Sequence, residues 1–114
     1  MSTKWLTSKA EELPALLSRL KEEHDDIAFI EAVAIVDHTG AFVEITSRHD
    51  AEQLFLADTV VIHSGRLEPS YEPCLTREFR HACFVTSESK TADIEQVLVS
   101  GVHGPRECIF LVVQ

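Results

Sequence analysis

Phe29-Ile30-Glu31-Ala32-Val33-Ala34-Ile35-Val36, followed by Asp37-His38-Thr39-Gly40, is the stretch that decides the fold. Seven of its first eight residues are apolar, and only Glu31 interrupts them. Such a run suits a strand buried on both faces or at the centre of a sheet. Asp-His-Thr-Gly is a short turn, with glycine where positive φ is often needed. Beyond it, Ala41, Val43 and Ile45 alternate with Phe42, Glu44 and Thr46 up to Ser47. That period of two predicts a half-exposed strand and, with the first, a β-hairpin.

Upstream, Leu13, Leu16, Leu17 and Leu20 recur at helical spacing and form one apolar stripe. Ser8-Lys9-Ala10-Glu11 has the capping-box pattern. Pro14 fits only in a first turn, where its missing N–H would have had no partner, so the helix is expected from about Glu12 to Glu23. Residues 1–10 then form an N-terminal arm, and Trp5 is the side chain available to tie it to the domain. Downstream, Asp50 is a good N-cap for a second helix reaching Ser64, with Gly65 as its stop. Ala51, Leu54, Phe55, Ala57, Val61 and Ile62 share its broad apolar face. Leu56 and Val60 fall on nearly the opposite side, among Glu52, Gln53, Thr59 and His63. A helix that is apolar on two sides usually has two partner surfaces. Arg66 to Pro73 reads as a loop and Leu75 to Arg80 as a short helical turn. His81 to Thr86, Ile94 to Ser100 and Cys108 to Val113 read as strands, with a turn at Ser87 to Lys90. The expected order is α-β-β-α-β-β-β in a single domain spanning 1–114.

Composition narrows the function classes. The chain has 114 residues, with 10 Lys+Arg against 19 Asp+Glu, a net charge of −9. That balance argues against a protein that tracks nucleic-acid phosphates. An apolar content of 45% argues against disorder. No apolar stretch is long enough for a signal peptide or membrane span. Three cysteines at irregular spacing form no disulfide framework, and a cytoplasmic location is expected.

Chemistry-bearing patterns are sparse. His81-Ala82-Cys83 has no partner pair for a metal. Cys74 follows Pro73 in a loop, with no His–acid pair assignable to it. Four scattered glycines make neither a phosphate loop nor a dinucleotide fingerprint. Arg77, Arg80 and His81 read as surface charge balance. Catalytic residues, metal ligands and cofactors are therefore expected to be none. The acidic run Glu22, Glu23, Asp25, Asp26 lacks a calcium-loop pattern. It is expected as solvated surface or as a docking face for a basic partner.

The leucine-striped first helix, the strand and turn Ala32 to Gly40, the helix opening Asp50-Ala51-Glu52-Gln53-Leu54, the segment Leu75-Thr76-Arg77-Glu78-Phe79 and the apolar last strand Ile109 to Val113 together resemble the roadblock/dynein light chain family, α/β domains related to the profilin-like and longin folds. The resemblance implies a central, mostly antiparallel five-stranded sheet with two helices. It implies a non-enzymatic homodimeric adaptor that scaffolds or regulates a small Ras-like GTPase, with second helices packed antiparallel. Residues Glu52, Leu56, Thr59, Val60 and His63 are then the expected dimer interface. Two other readings stand beside it. One is a small-molecule sensor whose pocket is lined by Phe42, Phe84 and Phe110. The other is a small acidic secretion chaperone.

Overall fold

The computed structural model describes residues 2–76, 81–86 and 105–114. The expected strand Ile94 to Ser100, the turn Ser87 to Lys90, and Arg77 and Arg80 lie outside the described residues. The described strands are β1 (Ser2–Ser8), β2 (Ile27–Glu31), β3 (Ala34–Val36), β4 (Gly40–Glu44), β5 (Thr59–Ser64), β6 (Leu67–Glu68), β7 (Ala82–Thr86) and β8 (Glu107–Val113). The helices are α1 (Leu13–Glu23) and α2 (Arg48–Leu56), with short 3-10 turns at Ala10–Glu12 and Glu72–Thr76.

The strands form two sheets, not one. The first has the order β1-β8-β5-β2, and every pairing in it is parallel. The second has the order β6-β3-β4-β7 and is mixed. This replaces the expected single, mostly antiparallel five-stranded sheet. The apolar run from Phe29 to Val36 is two strands, one in each sheet. The chain crosses between sheets at Ala32 and Val33, where Ala32 N–H donates to the His63 carbonyl and Val33 N–H to the Phe42 carbonyl, both at 2.8 Å.

Alternation along the strands sorts side chains into layers. On β5 and β8, Val61, Ile109 and Leu111 face α1, where they meet Leu20 and the partly buried Leu13, Leu16 and Leu17. Val60, Ile62, Cys108 and Phe110 point the other way, onto α2 and the inner face of the second sheet. That inner face supplies Ile35, Ala41, Val43, Cys83 and Val85. Phe42, Ala34, Val36 and Cys74 pack on its outer side. Strand β4 is thus buried on both faces, because the turn at Glu72–Thr76 brings Cys74 over the side expected to be exposed. Since β1 and β2 lie at opposite edges of the parallel sheet, α1 crosses its whole face between them.

Helix α1 agrees with its pattern, and Pro14 stands in its first turn. Residues 2–8 are more than an arm: they form an edge strand in register with β8 from Ser2 opposite Glu107 to Ser8 opposite Val113. Trp5 stacks on Phe110 with ring centroids 4.6 Å apart. Helix α2 is nine residues long and stops at Leu56, well short of the expected end at Ser64. Its N-cap is Ser47, whose Oγ accepts from Asp50 N–H at 3.2 Å. Asp50 Oδ2 in turn accepts from Thr46 N–H at 2.9 Å and Thr46 Oγ1 at 2.6 Å. The helix ends at Ala57, which is extended. Asp58 then opens a turn into β5, where Asp58 N–H donates to Asp26 Oδ2 at 3.1 Å.

Candidate functional site

Parallel sheets place ligand crevices at the carboxyl ends of their strands, where loops diverge and the backbone leaves the ladder. Here that edge is built by Glu31 at the end of β2 and by His63 and Ser64 at the end of β5. Glu31 and His63 are register partners, neighbours on the α1 side of the sheet. Burial makes the charged imidazolium costly and holds His63 below the ordinary histidine value, while the nearby Glu31 charge pulls it the other way. At neutral pH His63 is therefore an uncharged imidazole beside a carboxylate, able to accept a proton.

A cleft of about 660 Å³ is lined by residues from the end of β2, from β4 and from α2, Glu31 among them. Phe29, Ile30, Val33 and Val43 form its apolar wall, and Glu44, Thr46, His49, Asp50, Gln53 and Arg66 its polar lining. The size lies within the range of small-molecule sites. Among the described residues that line it, the acids are Glu31, Glu44 and Asp50, and the arginine is Arg66, whose Nε is paired with Glu68. Asp50 is held below the ordinary aspartate value, first by the Thr46 hydroxyl and then by the Thr46 backbone N–H.

The expected interface residues are dispersed. Glu52 and Leu56 remain on α2, and Leu56 is 54% exposed. Thr59, Val60 and His63 belong to β5, with Thr59 and Val60 buried in the core. The two-sided helix expected to present all five to a second copy does not form, because Ala57 and Asp58 end it. Glu22, Glu23, Asp25 and Asp26 are exposed at the exit of α1. Asp26 also has the structural task of holding the Asp58 turn. The three phenylalanines line no common pocket: Phe110 faces the inner core, while Phe42 and Phe84 pack on the outer side of the second sheet. All three cysteines are free and buried. Burial pushes the Cys83 and Cys108 thiols up to about 12 and raises Cys74 as well. Neutral thiols in a core are poor nucleophiles. Among the described residues, no group of three or more His, Cys, Asp or Glu is placed to hold a metal ion.

Glu31 and His63 were visible in sequence only as an interruption and as a helix-face residue. The available signal for His63 was its position at the carboxyl end of a buried apolar run, whereas Glu31 stood inside one. Their juxtaposition depends on a parallel pairing between residues 32 positions apart, which local pattern does not encode.

The architecture defines the class: a parallel α/β domain whose carboxyl edge opens toward a second, mixed sheet. The chain belongs to the LUD domain family, whose model matches residues 19–113. No curated protein and no solved structure matches. Family membership corrects the roadblock/dynein light chain resemblance, and with it the expectation of a GTPase-regulating adaptor. The sensor and secretion-chaperone readings find no support either. The hairpin and leucine-striped helix behind that resemblance are real elements. They recur here in a different topology.

Proposed function

We propose that this chain serves lactate utilization, the role suggested by membership of the LUD domain family, as a non-enzymatic component working in the cytoplasm. The family match over residues 19–113 carries the reading. Three free cysteines suit a reducing compartment. No helix among the described residues is long and apolar enough to cross a membrane. Among the described residues that line the cleft, Glu31 and Asp50 are acidic and Arg66 is paired with Glu68, so this part of the lining offers a free lactate anion little attraction, which favours a component over a lactate-binding enzyme.

The test is genetic. Deleting the gene in the source organism should abolish or slow growth on lactate and leave growth on pyruvate unchanged. Restoring the full chain should rescue it. Equal growth of deletion and parent on lactate refutes the proposal.

A further inference from the structure

We propose that the outer edge of β1 pairs antiparallel with β1 of a second copy, about a two-fold axis at Leu6, joining the two parallel sheets into one. Among the described residues β1 has one neighbouring strand, β8. Ser2 N–H donates to the Arg106 carbonyl at 2.8 Å, and the Ser8 carbonyl accepts from Gln114 N–H at 2.7 Å. In a parallel ladder such bonds fall on alternate residues. The even positions of β1 therefore face β8, and the backbone N–H and C=O of Trp5 and Thr7 face outward. Trp5 is 39% exposed, and Thr7 is exposed as well. An exposed strand edge is a template for another chain.

Register and charge select a second copy as that chain. With Leu6 opposite Leu6 of the second copy, Trp5 stands opposite Thr7 on each side of the axis. Both are outward residues, so each such pair exchanges both of its N–H···O bonds. On the α1 side, a groove of about 320 Å³ is lined by Leu6 and Thr7 and, from the helix and the turn before it, by Glu12, Ala15, Leu16 and Arg19. A two-fold axis normal to the sheet sets both copies of α1 on this face, antiparallel. Glu12 and Arg19 lie about two helical turns apart, hence on one face with Ala15 and Leu16 between them. The axis exchanges the two ends, so Glu12 of each copy meets Arg19 of the other, and the groove matches its own two-fold image in charge. Arg19 is available for this, because its pair with Glu23 is loose, 4.0 Å between exposed side chains. Residues 2–10 carry Lys4 and Lys9 and no acid, on a chain of net charge −9, so two copies repel least along this edge. A lysine in an edge strand commonly guards it, but Lys4 is drawn back over the sheet, with its Nζ 3.4 Å from Glu107 Oε2. The seam shares no residue with the interface expected on α2. It uses residues 4–19, of which only Arg19 belongs to the segment matched to the LUD family.

Sedimentation velocity of the full chain over a concentration series tests the pairing. The expected result is a monomer–dimer equilibrium. Emission from Trp5, the single tryptophan, should move to shorter wavelength as the dimer forms. Thr7→Pro removes an outward N–H that β8 does not use, and proline is tolerated on edge strands, so this variant should fold and stay monomeric. Arg19→Glu sets like charges together at both ends of the groove and should raise the dimer Kd about tenfold. Adding Glu12→Arg to it should restore the wild-type Kd. A wild-type chain that stays monomeric at its highest soluble concentration overturns the proposal. So does a dimer that survives Thr7→Pro, since its seam lies elsewhere. A Kd that Arg19→Glu leaves unmoved, or that the double variant does not restore, also refutes it, and this arm stands even where Thr7→Pro fails to fold.

Discussion

Val60 separates the two topologies most sharply. In the helical reading it is a surface residue of a dimer interface, and Val60→Asp gives a folded monomer. In the structure Val60 is 0% exposed, in the middle layer beside Ala28 on β2 and Cys108 on β8. Val60→Ala removes the equivalent of two methylenes, about 1.6 kcal/mol of transfer free energy at about 0.8 each. A residual cavity of about 40–50 Å³ adds about 1 kcal/mol at about 24 cal/mol per Å³. The expected loss is therefore about 2.5–3 kcal/mol. For a domain of this length that lowers Tm by about 10 °C. Val60→Asp adds the burial of a carboxylate with no partner, several kcal/mol more. The sum approaches the whole stability of an ordinary domain, about 5–15 kcal/mol. The measurement is thermal and urea unfolding followed by circular dichroism, with Leu56→Asp as the exposed control, expected within about 0.5 kcal/mol of wild type. A Val60→Asp protein that melts cooperatively near the wild-type Tm refutes the placement of β5 in the core.

Gly40→Ala should be severely destabilising, by about 3 kcal/mol or more, because an added Cβ would lie 1.9 Å from the Val85 carbonyl oxygen and the β4–β7 pairing would have to shift; a melt within a few degrees of wild type counts against that pairing. His38 sits at φ 59, so His38→Gly should raise stability by about 0.5–1 kcal/mol, readable as a small increase in urea midpoint. His63, held low by burial, makes stability fall as pH drops below the ordinary value of 6.5 toward its own lower value, since only the unfolded chain takes the proton there; His63→Gln should flatten that limb, and an unchanged limb assigns it elsewhere. Asp50, held low by Thr46, contributes stability above 3.8 that disappears as pH falls through its lowered value, and Asp50→Asn should remove this acid response from an unfolding titration.

The legible parts of the fold were those written in local chemistry. The leucine spacing and Pro14 placed α1, and Asp37 to Gly40 placed the turn between β3 and β4. The misread parts were doubly buried strands. Thr59-Val60-Val61-Ile62 has no alternation, because both faces of β5 are covered, and its apolar positions can be fitted to a helix that Ala51, Leu54 and Phe55 had already begun. The β-branched run and Asp58 were the signals against that fit: β-branched side chains favour strands, and Asp58 opens the turn rather than interrupting a face. The crossing at Ala32 and Val33 carries no glycine or proline, so nothing local marks where one sheet ends and the next begins. The pairing of Glu31 with His63, and the cleft beyond it, required the parallel topology.

Strand β8 lies between β1 and β5, and it is the last of the described strands in chain order. Until residues 107–113 are available, β1 has no partner, and β2 and β5 form only a two-stranded fragment. The pairing of Ser2 with Glu107 closes a loop spanning most of the chain. Contacts of such long sequence separation are costly in chain entropy and slow to form. The two halves of the parallel sheet must therefore wait for one late strand, and refolding should be limited by its insertion. Slow closure of this kind leaves the unpaired backbone edge of the apolar strand β5 open to wrong pairings while β8 is not yet in place, so the protein is most vulnerable to aggregation just before β8 inserts.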